Sequence, residues 1–381
     1  MKRKTAARYA VLTFLTFCIL LGVFLGLQHP SQTLHTRETE ALGVTVLLGA
    51  QGKDAQVALH AAENEIERLD ALFAYDGDGD IAQLNATGHI TADADTAALL
   101  DRAKTLSALT DGAYSCTAAP LLDAWKLAQS ANREPSADEL EPLLALVDDS
   151  QIHIDGDTIT IPDGVRVNVD SIARGYIADR VKKVFANYAL ERAFVTFGID
   201  RARYASGDAG LLEGSGVTAY STNQNDDAWA ISIANPANPG RVIANYNTLD
   251  DAVFSAGTYQ LSYSKNGRTY RRIIDPRTGQ AAATGLASVT VVSDDSVLAA
   301  ALSEALYVLG REDGIDLWDD HRIDFDAIFI NDTGSATPTG RDITITAGIY
   351  QRDGASFSLI DDPGGASPLE KSENERATRI I

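Results

Sequence analysis

Residues 268–279 read RTYRRIIDPRTG. Within them, Asp275-Pro276-Arg277-Thr278-Gly279 has the chemistry of a rigid turn. Proline fixes φ, aspartate and threonine can bond nearby backbone, and glycine accepts a positive φ. Arg268, Arg271, Arg272 and Arg277 crowd this turn, although the chain carries 53 acidic against 32 basic residues and a net charge of −21. One reading is a tight turn with solvated arginines. The other is a block kept for its chemistry, and the flanking pattern bears on the choice.

Downstream of the turn, strands are predicted at 286–292, 325–331 and 342–347, with a helix at 295–310. Upstream, strands are predicted at 193–198, 228–234 and 241–248. A helix is predicted at 174–189, and 151–169 alternates around an Asp155-Gly156 hairpin turn. Further back lie a helix at 94–109, a turn at Asp76–Asp80, and a helix at 54–73 whose apolar stripe reads Val57, Ala61, Ile66, Leu69 and Leu72. A first strand is read at 42–49. Strands and helices mix without strict alternation, which places the chain in the α+β class.

Residues 9–27 (YAVLTFLTFCILLGVFLGL) hold no charge and are long enough to span a hydrocarbon core of roughly 30 Å as a helix. Lys2, Arg3, Lys4 and Arg8 precede them, so the positive-inside rule predicts a cytoplasmic stub at 1–8 and an extracytoplasmic bulk. The run ends in GLQHPSQTL without an A-x-A-like cleavage site, and the bulky Phe17 before Cys18 argues against a lipoprotein signal. The expectation is an uncleaved single-pass anchor in the inner membrane. A polar linker follows at 28–40, one domain at 41–357, and a mobile tail at 358–381.

Apolar residues make up 45% of the chain, an ordinary globular share. The acidity repels phosphate backbones, which excludes nucleic acid and means that an anionic cofactor must be held by local donors. The six histidines are scattered without metal spacing, which argues against a zinc site or a histidine triad. Asp76, Asp78 and Asp80 imitate a calcium loop, but Thr87 stands where that loop needs glutamate. Cys116 is the one cysteine outside the apolar run, so it reads as a buried structural thiol.

Other blocks accompany the turn in a fixed order. They are Leu42-Gly43-Val44, Leu72–Tyr75 with Ile81–Asn85, Asp111–Thr117 with Pro120, Leu121 and Trp125, Asn168–Tyr176, Trp229–Pro236, Ser255–Tyr259, and Ala301–Gly310. Together with the turn they resemble the ApbE-type FAD:protein FMN transferases over about residues 40–350. That resemblance implies an α+β fold of two intertwined sheet-plus-helix halves with FAD between them. It also implies a reaction: FAD's pyrophosphate is split with Mg²⁺ assistance, AMP leaves, and FMN is joined to a Thr or Ser of a partner. The implied partners are extracytoplasmic subunits of membrane redox complexes, and the implied site is periplasmic.

Carried over residue by residue, the resemblance puts Leu42, Tyr75, Ala113, Tyr114, Ser115, Asn168, Arg174, Gly257, Tyr259 and Ile274 around FAD. It puts Arg174, Arg272 and Asp275 in catalytic positions, and Ser171 and Glu304 at the metal. The chain departs from the pattern in several places. Ser115 and Asn168 stand where the family has aspartate, Arg174 where it has lysine, and Arg272 where it has histidine. Ala300 occupies the family's metal-carboxylate position and Glu304 that of a threonine. Glu304 is one helical turn from Ala300 on the same side, and Asp170 adds a carboxylate beside Ser171. Either the metal site has moved or these changes are drift. The alternatives to an active transferase are a degenerate FAD-binding or delivery protein and a flavin-free assembly factor. In the tail, Asp361–Ser367 loosely resembles an acceptor motif, which would make Ser367 a self-modification site.

Overall fold

The computed structural model describes residues 33–361, apart from 199–210, 213–214, 223–228, 237, 258–262, 266–267, 271–272, 320–322, 332–335, 339–348 and 354–355. The apolar run at 9–27, the strand expected at 342–347, and Ser367 all lie outside the described residues. Among those described, no helix is long and apolar enough to cross a membrane.

The centre is an eight-stranded sheet of β1 (His35–Ala41), β2 (Val44–Gly52), β3 (Leu190–Phe197), β4 (Gly216–Ser221), β5 (Ala252–Gly257), β6 (Leu286–Ser293), β7 (Asp326–Asn331) and β8 (Ala336–Pro338). Each strand pairs antiparallel with the next in chain order. The longest excursion, between β2 and β3, carries α1 (Ala55–Phe73), α2 (Asp80–Thr87), α3 (Ala94–Leu109), α4 (Ala119–Ser130), α5 (Ala137–Leu144) and α6 (Asp170–Phe185). Between β6 and β7 run α7 (Ser296–Leu309) and α8 (Arg311–Asp319).

Helices cover one face of this sheet. α1 lies on β1 and β2, α6 on β3 and β4, and α7 on β5 and β6. Three helix-backed strand pairs thus lie along a single continuous sheet. A five-stranded sheet covers the opposite face, where Trp229 and Ile231 pack on Leu47, Phe194, Val217, Val253 and Val292. Trp229 meets Phe194 edge to face at 5.0 Å between centroids. With both faces covered, β6 (LASVTVVS) buries all eight of its residues, the polar Ser288, Thr290 and Ser293 included.

Several elements fall where the sequence places them, α3 to the residue and α7 within one. Residues 35–41 do not behave as linker: they form β1, whose polar sequence HTRETEA suits a mostly exposed edge strand. Leu42 and Gly43 are the hairpin turn to β2, both at positive φ (50° and 71°), rather than the start of the strand. α6 begins at Asp170, four residues before the predicted start, and Asn168 Oδ1 accepts the Asp170 N–H at 2.9 Å just ahead of it. The stripe of α1 also differs: Ala55, Ala58, Leu59, Ala62, Ile66, Leu69 and Phe73 are buried, while Val57 is 62% exposed. Alanine is a weak hydropathy signal, and it marks where the helix lies close to the sheet. Residues 358–361 belong to a strand, Ser356–Asp361, on the edge of the five-stranded sheet.

Candidate functional site

The site begins with a helix crossing. α6 and α7 run antiparallel and touch at Gly175, where a Cβ would stand 2.3 Å from the Ser296 carbonyl oxygen. Only glycine admits that approach. One turn toward the start of α6, Arg174 and Ser171 come to face Glu304 on α7, and the three open into a cavity of about 260 Å³. Its other walls are Ala113, Tyr114 and Ser115 from the loop after α3, Leu122, Trp125, Lys126 and Gln129 of α4, Asn168 and Asp170, and Ile273, Ile274 and Pro276.

The loop with Tyr114 is built around one carboxylate. Asp149, 3% exposed, accepts hydrogen bonds from the Ser115 hydroxyl, the Cys116 N–H at 3.0 Å, and the Thr117 N–H and hydroxyl at 3.1 and 2.6 Å. Ser115 thus lines the cavity with its hydroxyl engaged elsewhere. Cys116 is buried and free, as expected, and burial pushes its thiol well up.

Asp170, Arg174 and Glu304 meet in this cavity, and Lys126 acts on Asp170 from the α4 wall. Burial raises the Glu304 carboxyl, opposed by Arg174 and Ser171 beside it. Burial likewise raises Asp170, whose Oδ2 accepts from Asn168 Nδ2 at 3.2 Å. Arg174 is pulled down by burial against the pull of Glu304 and Asp170. Its Nη1 reaches Ser215 Oγ at 3.5 Å, and its Nε has no partner. Tyr114 is 3% exposed, and its hydroxyl faces Ser171 without completing a hydrogen bond.

Tyr75 stands beside α4 near Lys126, outside the cavity lining. Its hydroxyl donates to Asp123 Oδ2 at 2.9 Å and accepts from Arg166 Nη1 at 3.3 Å. Lys126 Nζ lies 5.7 Å from its ring centroid. Burial and the Asp123 bond push the phenol up to about 12.

Of the residues picked from sequence, Ala113, Tyr114, Ser115, Asn168, Ser171, Arg174, Ile274 and Glu304 share this one cavity. Leu42 does not reach it: its N–H donates to Asp70 Oδ1 at 2.7 Å in the hairpin turn. Gly257 ends β5 opposite Ser288, away from the lining. Asp275 is held inside its own turn, where Arg277 Nε and Nη2 clamp its carboxylate, both at 2.9 Å. It does not line the cavity, although its neighbour Pro276 does. Tyr259 and Arg272 lie outside the described residues. The sequence reading missed the α4 wall, yet Pro120 near the helix start and the spacing of Leu122, Trp125 and Gln129 were signals for it.

The oxygen donors here are Glu304, Asp170 and the Ser171 hydroxyl. Among the described residues no three Asp, Glu, His or Cys side chains gather as a metal cage. One or two carboxylates with room for phosphate oxygens is nevertheless the donor set that suits Mg²⁺.

Comparison with known proteins agrees with the blocks. The chain matches the ApbE family over residues 41–329. An FAD:protein FMN transferase of Klebsiella pneumoniae is 28% identical over 236 residues, covering 61% of this chain and 67% of that protein. One from Treponema pallidum is 27% identical over 312 residues, covering 77% and 84%. The crystal structure of the ApbE protein of Thermotoga maritima superposes with a TM-score of 0.69 at 23% identity, over 80% of this chain and 96% of that one, and shares the fold.

Proposed function

The chain belongs to the ApbE family, and we propose that it transfers FMN from FAD to a serine or threonine hydroxyl of a partner protein, releasing AMP. One observation carries this reading: blocks at 113–115, 168–174, 273–276 and 304, remote in sequence, line one cavity whose inner end leaves buried donors and acceptors open. In the reaction, the acceptor oxygen bonds to the flavin-side phosphorus and the pyrophosphate P–O bond breaks. AMP takes the bridging oxygen, and the hydroxyl proton is released. Arg174 faces the developing phosphate charge with its buried, unpartnered Nε, and that burial strengthens the attraction. The N-terminal turn of α6 adds its dipole. Ser171 and Glu304 would hold Mg²⁺, which supplies charge neutralisation at the pyrophosphate. Apolar Ile274 and Trp125 offer surface to a flavin ring.

We further propose that residues 9–27 anchor the chain in the inner membrane with the domain on its outer face. The acceptor is then an extracytoplasmic subunit of a membrane redox complex. A second reading, a degenerate FAD-binding or delivery protein, is favoured by Ala300, which brings no carboxylate, and by the locked Asp275. The test incubates the full chain with FAD, Mg²⁺ and a peptide carrying an acceptor serine or threonine. AMP release with covalent flavin fluorescence on the peptide supports the transferase. Tight FAD binding with neither product rejects it for the binding protein.

A further inference from the structure

Two cations line the cavity, and they are held very differently. Arg174 is buried on α6 between the Glu304 and Asp170 carboxylates that act on it, so its charge is spent within the site. Lys126 comes from α4. Leu122, Trp125, Lys126 and Gln129 fall at i, i+3, i+4 and i+7, which turns one face of that helix to the cavity with Lys126 as its charged member. The helix is pinned in that orientation, since Trp125 Nε1 donates to the Gly279 carbonyl at 2.8 Å. Lys126 itself is loosely held. Its ion pair with Asp123 Oδ1 is 4.0 Å long, and Asp123 is engaged more closely by Arg166 Nη1 at 2.8 Å and by the Tyr75 hydroxyl at 2.9 Å. The Tyr75 ring, 5.7 Å from Nζ, adds a weak cation–π contact. With 60% of its side chain exposed, the ammonium can turn to an incoming anion at the cost of little more than that long ion pair.

We propose that Lys126 is a substrate-binding residue that takes the pyrophosphate of FAD from the α4 wall, and so selects FAD over flavins that lack phosphate. The inference rests on the transferase reading for the identity of the ligand, but it concerns capture rather than the bond that breaks. The need for such a group follows from charge. The chain carries a net −21, and Asp170 and Glu304 line the same cavity, so the surrounding field opposes an anion. Arg174 already answers those two carboxylates, whereas Lys126 has charge to spare. Lysine also suits the task, because a compact point charge on a four-carbon stem can follow a phosphate group over several ångströms.

The experiment titrates the full chain with FAD and with riboflavin, which has no phosphate, by flavin fluorescence at low and high salt. Lys126→Met keeps most of the stem and removes the charge. It should weaken FAD about tenfold at low salt and leave riboflavin within about twofold. Salt gives a second readout. The unaltered chain should lose FAD affinity as salt rises, because a local attraction is screened. In Lys126→Met the net repulsion is left, so added salt should leave the affinity level or raise it. Lys126→Arg should restore most of the affinity, and all three proteins should share one unfolding midpoint. Unchanged FAD affinity in Lys126→Met overturns the inference, as does an unchanged salt dependence. An equal loss of riboflavin also overturns it, since the residue would then serve the ring or the fold. AMP release by a protein whose FAD affinity ignores Lys126 removes the inference and leaves the transferase standing. FAD affinity lost as expected, with no AMP release from the unaltered chain, does the reverse.

Discussion

The Asp275–Gly279 turn and the α6–α7 crossing have opposite histories in sequence and opposite roles in the fold. The turn keeps the letters of its block and spends its polar groups on itself. Asp275 accepts from the Arg277 side chain and N–H, and its carbonyl accepts the Gly279 N–H at 2.8 Å. The Gly279 carbonyl accepts from Trp125 Nε1 at 2.8 Å, pinning α4 against the turn. The crossing departs from its pattern at Asn168, Arg174, Ala300 and Glu304, yet it is where open charge meets the cavity. A turn has few solutions, so its letters persist because the geometry does. A charged pocket can move a carboxylate by one helical turn and still present it to the same space.

The comparison breaks most readily at Gly175. Valine there would press on the Ser296 backbone, which cannot yield as a flexible side chain would. Gly175→Val should cost about 3 kcal/mol or more in denaturant unfolding and abolish FAD binding. A well-folded variant that retains FAD would show that the crossing does not set the site. On the same helix, Asp179 accepts the Ser296 N–H at 3.3 Å, and burial pushes its carboxyl up to about 6 from an ordinary 3.8. Because the folded value lies above the unfolded one, its favourable contribution is complete below about pH 4 and is lost as pH rises through 6. Asp179→Asn should therefore stabilise the protein by about 2–3 kcal/mol at pH 7.5 and leave it unchanged at pH 4. Unfolding curves at the two pH values check this, and equal shifts at both would remove the ionisation argument. Gly279→Ala sharpens the other side. At φ +69° and with Leu121 Cδ2 3.2 Å from the new Cβ, it should cost about 1–2 kcal/mol while FAD affinity stays within twofold. A collapse of affinity would make the turn part of the site.

Much of this was legible because period and length speak clearly. α3 and α7 were read from periodic apolar runs, and the α+β class from the mixture of elements. The register of the eight strands was not legible, since pairing depends on partners far apart in sequence. Nor was the covered second face: Ser288, Val289, Thr290 and Val291 of β6 alternate in polarity as a half-exposed strand would, yet all are buried. β1 was hidden by polar composition that an edge strand tolerates. At the site, block identity found eight cavity residues but also chose Leu42, Gly257 and Asp275, whose letters serve turns and sheet ends. Asp123 and Arg166, which fix the Tyr75 hydroxyl, and Asp149, which organises the Tyr114 loop, had no signal at all. Each acts through a hydrogen bond that only the tertiary arrangement creates.

The smallest effect is the most discriminating. Tyr114→Phe removes a hydroxyl that lacks a completed bond in the folded protein, so its loss should be neutral or stabilise by up to about 1 kcal/mol. A residue conserving the fold would lose stability on the same change, as buried hydroxyls with partners do. If the open hydroxyl is instead there for what enters the cavity, the penalty appears only on binding, as a severalfold weaker affinity for FAD with Mg²⁺. Thermal unfolding of the free protein and flavin fluorescence titration separate the two. Stability lost with affinity kept would make Tyr114 a scaffold residue like Asp275 and leave the open end of the cavity to Arg174, Asp170 and Glu304 alone. Stability kept with affinity lost would put the phenol on the chemical side of the comparison, in a loop whose Ser115 hydroxyl and Cys116 and Thr117 N–H groups turn toward Asp149.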